Sequence, residues 1–128
     1  MVELTASVSW LAVIVGAVLA FLLGWLWYSP KLFGTKWAEG SKVELGNATD
    51  MPMVAMATQA LGLIGLAWVV AITAATNSLL TIILITISFV LLQWSGNSFT
   101  QKNNYAKMVD GGYWIAAVVV MIAVQMVL

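Results

Sequence analysis

The sequence predicts an all-α fold: an integral membrane bundle of four transmembrane helices in one domain. Three observations lead there. Of 128 residues, 62% are hydrophobic and only 8% charged, whereas a soluble domain carries about 25% charged residues. Mean hydropathy is +1.01. Four apolar stretches, at 8–28, 53–76, 79–94 and 113–128, approach the roughly 20 residues that cross about 30 Å of hydrocarbon.

The first stretch, 8–28, has no charge. It is longer than a signal-peptide core of about 7–15 residues, and no lysine precedes it. It ends in Trp-Leu-Trp-Tyr rather than a small-residue cleavage site, so it reads as a retained helix. Ala12, Gly16, Ala20 and Gly24 recur every four residues along it. Such a stripe lets another helix approach closely. Packing inside one bundle is the preferred reading, with the second helix as partner through Thr58, Gly62 and Ala67. A subunit interface with a second copy is the alternative.

After this helix comes "GWLWYSPKLFGTKW", residues 24–37. Trp25, Trp27, Tyr28, Phe33 and Trp37 fall where the helix reaches the interface, a depth at which the apolar ring is buried and its polar group finds water. Pro30 removes a donor and disfavours α geometry in the residue before it, so the helix is expected to stop or bend within about two residues of Ser29. Leu32, Phe33 and Trp37 are then placed on one face of a short interfacial helix stopped by Gly40. An aromatic cradle for a lipid or partner is the functional reading of the same residues, Trp27, Tyr28, Ser29, Pro30, Phe33, Gly34 and Trp37.

The second helix is preceded by Thr49, Asp50 and Pro52, residues suited to a cap and a first turn. Its interior polar groups are Thr58, Gln59 and Thr73; Gln59 and Trp68 are the candidates for a ligand, against the simpler readings of an interhelical hydrogen bond and bundle packing. Only Asn77 and Ser78 separate it from the third helix, so the two form a tight antiparallel hairpin. Thr81, Ser88 and Ser95 on the third helix have heptad spacing. They form either an inward polar seam or hydroxyls bonded to their own backbone. The fourth helix is expected to start near Asp110, acting as its cap.

Every cation is a lysine, and all five lie in the links 29–52 and 95–112. The positive-inside rule places those links in the cytoplasm and both termini outside. An acceptor pattern for N-glycosylation, Asn47-Ala48-Thr49, then lies on the wrong side of the membrane and carries little weight. "YSPKLFGTK" at 28–36 also aligns with "WSGNSFTQK" at 94–102, as two repeated helical hairpins would.

The absences narrow function. Cysteine and histidine are missing, which removes thiolate chemistry, the usual general base and the commonest metal ligand. Met51, Met53 and Met56 suggest thioether copper binding, but methionine is also an apolar filler, so no metal and no cofactor is expected. None of the four stretches contains an ionisable residue, unlike proton-coupled transporters. Zero net charge without a basic patch argues against nucleic acid.

"WYSPKLFGTKW" at 27–37 resembles the signature after the first helix of the DUF1761 proteins, small bacterial four-helix membrane proteins. "DGGYW" at 110–114 is similar to the start of that family's last helix. The resemblance implies a membrane bundle and no particular activity. The expectation is a non-enzymatic protein of the bacterial cytoplasmic membrane, with the lipid bilayer as its surroundings. It would work by helix–helix association, as a homo-oligomer or with other membrane subunits. The alternative is a carrier or channel for a small neutral or lipophilic solute. A polar seam turned inward would favour transport, and a small-residue face turned outward would favour assembly.

Overall fold

The computed structural model describes residues 2–42 and 53–128. Among them all regular structure is helical: a single turn α1 (Val2–Thr5), then α2 (Trp10–Trp27), α3 (Gly34–Ser41), α4 (Met53–Ala75), α5 (Leu79–Phe99) and α6 (Asn104–Val127). Four of these, α2, α4, α5 and α6, are long and apolar enough to cross a membrane. Residues 43–52 lie outside the description, and with them the glycosylation pattern, the expected cap of α4 and Met51.

The helix ends follow local chemistry. Ser9 caps α2 by accepting from the Ala12 amide at 3.3 Å, and α2 stops at Trp27, two residues before Ser29, as Pro30 requires. Between α4 and α5, Asn77 takes a left-handed conformation with φ 54°. The Ser78 amide reaches back to the Thr73 carbonyl at 2.8 Å, closing the hairpin as such caps do.

Two boundaries differ from the sequence expectation. The third helix runs on past Trp94 to Phe99, because Gly96 merely weakens a helix by about 1 kcal/mol, whereas a proline blocks it. The aligned stretches at Tyr28 and Trp94 therefore have different backbones, one a broken turn and one continuous helix. The fourth helix begins at Asn104 rather than near 113. Its cap is Asn103, whose side chain accepts from the Ala106 amide at 2.9 Å, so Asp110 lies in its second turn and is no cap. The spans are correspondingly longer, 21 and 24 residues, or about 32 and 36 Å at 1.5 Å per residue.

α2, α4 and α6 pack on one another, and α5 lies against α6 and α4. The core is thus a three-helix unit, filled by Val13, Leu63, Val70, Tyr113 and Met121, with α5 added at its side. α5 buries Ile82 alone.

Ala12, Gly16, Ala20 and Gly24 are all buried, and α6 covers the glycine positions. A Cβ on Gly16 would lie 3.5 Å from Met121 Cγ, and one on Gly24 would lie 2.9 Å from the Tyr113 hydroxyl. Two gaps eight residues apart on α2 thus receive two large side chains eight residues apart on the antiparallel α6. Of the expected partner surface on α4, Ala67 is buried in the core cluster with Ala20, but Gly62 has nothing within 4 Å, and exposed Thr58 bonds to its own Val54 carbonyl at 2.8 Å. α4 meets α2 instead near Trp68, whose ring stands edge-on to Trp10 at 5.3 Å.

The seam of Thr81, Ser88 and Ser95 also departs from expectation, since all three are exposed. The inward edge of α5 is fixed by other residues, among them Ile82, Val90 and Asn97. Val90 sits 3.2 Å from the Cβ position of Gly111. The small-residue face is therefore turned inward and the polar seam outward, the reverse of both arrangements that would have separated transport from assembly.

Gly24→Leu is expected to destabilise the bundle by about 1–3 kcal/mol through overpacking against Tyr113, and Gly16→Leu similarly against Met121. Gly62→Leu should leave thermal stability in detergent unchanged. Equal melting temperatures for Gly24→Leu and Gly62→Leu would refute this account of the stripe.

Candidate functional site

The first-to-second link and the start of α6 meet on one carboxylate. Asp110 is 5% exposed, and its two oxygens accept four hydrogen bonds. Oδ1 accepts from the Tyr28 hydroxyl at 2.6 Å and from Trp37 Nε1 at 2.9 Å. Oδ2 accepts from Asn97 Nδ2 at 3.1 Å and from Lys102 Nζ at 2.8 Å. The donors come from the end of α2, from α3, from α5 and from the α5–α6 turn. The Lys102–Asp110 contact is the one ion pair among the described residues.

Each residue of "WYSPKLFGTKW" that bears on this site has a definable role. Trp27 Nε1 donates to the Val109 carbonyl at 2.9 Å, and its ring lies 3.2 Å from the Cβ position of Gly112. Pro30 is exposed in the turn where the Leu32 and Gly34 amides both donate to the Ser29 carbonyl, at 3.1 and 2.9 Å. The Ser29 hydroxyl donates to the Leu26 carbonyl at 2.7 Å. A Cβ on Gly34 would run into the Tyr28 carbonyl oxygen, so only glycine lets the chain fold back this tightly. Phe33 packs on Trp27 at 4.9 Å. α3 then carries Trp37 over α6, where it meets the Tyr28 ring edge-on at 4.9 Å and supports Lys102 Nζ 5.5 Å from its centroid.

"DGGYW" supplies the other half. Asp110 is the acceptor. Gly111 and Gly112 admit Val90 and Trp27. The Tyr113 hydroxyl donates to the Ala20 carbonyl at 2.8 Å, and Trp114 stands edge-on to Phe89 at 5.2 Å. The interfacial-belt reading is thereby corrected for Trp27, Tyr28 and Trp37. Their polar groups point into the protein, while Trp25 is 54% exposed and remains free to sit at a membrane surface.

Of the ligand candidates, Gln59 Nε2 lies 3.5 Å from the Tyr113 hydroxyl, an interhelical contact. Trp68 Nε1 donates to the Leu4 carbonyl at 2.7 Å. Both side chains have partners within the chain, and neither reaches Asp110.

Asp110 does not stand out as a site residue from its sequence neighbours. The run 104–112, with a lysine, an aspartate and two glycines, looks like a link. The available signal was spacing: Ala106, Val109, Asp110, Tyr113 and Ala117 share one helical face, and all five are buried.

Chemically the arrangement is closed. A carboxylate holds about four acceptor positions, and here four donors use them, so no lone pair is left for a metal ion or a substrate proton. Burial, and then the charge of Asp110 beside it, push the Tyr28 phenol above its ordinary value, which keeps it a donor. The cluster binds helices to one another at the lysine-bearing end.

Asp110→Asn removes the charge opposite the Lys102 ammonium and replaces one of the two accepting oxygens with an NH2 donor, so two of the four donors lose their acceptor. Breaking a buried pair in this way costs about 3–5 kcal/mol when fully buried, and somewhat less here because the Lys102 side chain is 23% exposed. Asp110→Asn should therefore destabilise more than Tyr28→Phe, whose single bond to a charged group is worth about 1.5–3 kcal/mol. Thermal denaturation in detergent measures both, and an Asp110→Asn variant as stable as wild type would show that the cluster does not hold the fold.

No curated protein and no solved structure matches this chain. One family model does, described as a protein of unknown function (DUF1761), over residues 11–126. That match runs from the second residue of α2 nearly to the end of α6 and includes both halves of the Asp110 cluster, and the chain belongs to the DUF1761 family.

Proposed function

We propose that this is a non-enzymatic integral membrane protein that acts by helix–helix association, as a homo-oligomer or as a small subunit of a membrane complex. The observation that carries the reading is the outward edge of α5. Thr81, Ser88 and Ser95 are exposed there, interleaved with Ile85, Leu92 and Phe99 at 42%, 73% and 86% exposure. Thr58, Thr73, Thr76, Thr86 and Ser98 each donate to a carbonyl of their own helix. The three seam hydroxyls have no hydrogen-bond partner among the described residues. In hydrocarbon, helices gain little from hydrophobicity, so small side chains and hydroxyls that bond across helices supply the attraction. A second helix against this edge would provide both.

The carrier reading draws on one feature, a half-open pocket of about 280 Å³ at the end opposite Asp110, lined in part by Thr73, Asn77 and Gln125. Between that pocket and the Asp110 cluster the core is filled by Leu63, Ala67, Ala117 and Met121, each about 1% exposed or less. A solute would have to part them, so association is the better supported reading.

The membrane is proposed to be the bacterial cytoplasmic membrane, with the lysine-bearing end inside and both termini outside. Because the chain has no cysteine, introduced cysteines report without background. In intact cells a cysteine at Asn77 should react with an impermeant maleimide and one at Lys42 should not; the opposite pattern would invert the orientation.

Association is tested by a photo-crosslinking side chain at Ser88 in native membranes. It should trap a second polypeptide, either another copy or a partner, while the same group at Leu84, on a different edge of α5, should not. Adducts of equal yield from both positions, or none from Ser88, would overturn the proposal.

A further inference from the structure

We propose that the edge between α5 and α6 at the lysine-bearing end holds one anionic phospholipid, its phosphate against Lys107 and Trp94 and an acyl chain along Leu91, Ile87 and Leu84. The inference rests on the membrane reading above but not on association, which uses a different edge of α5.

The charges single out Lys107. Of the five lysines, Lys102 is neutralised by Asp110. Lys31, Lys36 and Lys42 are exposed. Lys107 is half-buried and held at two points: its Nζ lies 3.1 Å from the Ser98 hydroxyl oxygen and 5.2 Å above the centroid of the Trp94 ring. Ser98 in turn donates its proton to the Trp94 carbonyl at 2.8 Å, so it fixes the lysine as an acceptor. Neither support carries a negative charge. The ammonium has three N–H groups and uses one on Ser98, so two have no acceptor among the described residues. The Trp94 indole N–H has no acceptor among the described residues and adds a second kind of donor beside them. Lys107 also lies in the first turn of α6, where the helix dipole favours an anion.

The apolar half of the site is continuous with this head. Positions 84, 87, 91, 94 and 98 are separated by three or four residues and share one edge of α5. Leu84, Ile87 and Leu91 on that edge are 65%, 53% and 65% exposed. From Trp94 to Leu84 the helix rises about 15 Å, which is half of the roughly 30 Å hydrocarbon thickness and so the depth of one leaflet. A lipid whose phosphate sits at Trp94 and Lys107 would lay its chain along this edge to the bilayer centre.

Charge selects the lipid class. Among the described residues at this end, Lys31, Lys36 and Lys42 are exposed, against exposed Glu39. A headgroup with its own ammonium gains less from such a surface than one with net negative charge. Phosphatidylglycerol is therefore expected over phosphatidylcholine.

The test is native mass spectrometry of the full chain released from nanodiscs of equal phosphatidylglycerol and phosphatidylcholine. Wild type should retain one phosphatidylglycerol per chain in clear excess over phosphatidylcholine. Lys107→Gln should reduce that retention about five-fold, the equivalent of one lysine–lipid contact, and Trp94→Phe, which keeps an aromatic ring beside Lys107 and removes the indole N–H, should reduce it partially. Lys31→Gln should leave it unchanged. The Asp110 cluster is intact in all three variants, so equal melting temperatures without lipid verify the fold; if Lys107→Gln does not fold, Trp94→Phe decides alone. Equal retention of both lipids, unchanged retention in Lys107→Gln, an equal loss in Lys31→Gln, or a second polypeptide in place of lipid would overturn the site. Resistance of the wild-type protein to carbonate extraction separates these outcomes from failure of the membrane reading itself.

Discussion

A charged carboxylate buried in an apolar helix is the constraint around which this molecule is arranged. Taking such a group out of water costs several kcal/mol unless hydrogen bonds replace the solvent. The chain meets the requirement with donors from four separate segments. Much of the local detail follows from getting them there. α2 breaks at Pro30 so that α3 can turn back and bring Trp37 above α6. α5 continues past Gly96, which carries Asn97 to the carboxylate. Lys102 reaches it from the turn that follows. Gly111 and Gly112 have no side chains because Val90 and Trp27 need their space.

What could be read from the sequence depended on whether a signal was local. The apolar stretches, the break before Pro30, the short helix after it and the Asn77-Ser78 hairpin all follow from chemistry within a few residues, and the structure has each of them. Partnerships between distant segments were not legible in the same way. The stripe on α2 announced close approach, but a row of small residues does not state what approaches; Tyr113 and Met121 do so because their spacing on α6 matches the gaps. The two family-like motifs were visible separately, as an aromatic cluster and as a glycine-aromatic pair. That they form one site was not, because Asp110 had a plausible local role as a helix cap. A polar residue beside two glycines carries the same local signature whether it starts a helix or sits on its buried face.

The bundle is uneven. Three helices share the core, and the fourth in space, α5, is fastened mainly at its ends, by the Asn77-Ser78 turn and by Asn97 and Lys102 on Asp110. Its middle is held by a few contacts such as Phe89 on Trp114. In water a helix with so little buried surface would be unstable in place, whereas in the proposed membrane setting lipid chains would cover apolar side chains as well as protein does. The outer surface of α5 is then differentiated by polar atoms alone: hydroxyls along one edge, an ammonium and an indole at the foot of another.

The long separation between Asp110 and its aromatic donors also sets an order of events during synthesis. Tyr28 and Asp110 are 82 residues apart, and Trp37 and Asp110 are 73 apart. The ribosome delivers the aromatic half of the cluster while the carboxylate has yet to be made. Until α6 is made, the hydroxyl of Tyr28 and the indole of Trp37 have no carboxylate to bond, and α2, α4 and α5 carry no charged side chain. The last helix brings the single carboxylate, and it can settle only where the donors already wait. Closure of the bundle is therefore a late, non-local step in which one residue both demands and verifies that the preceding helices stand in place.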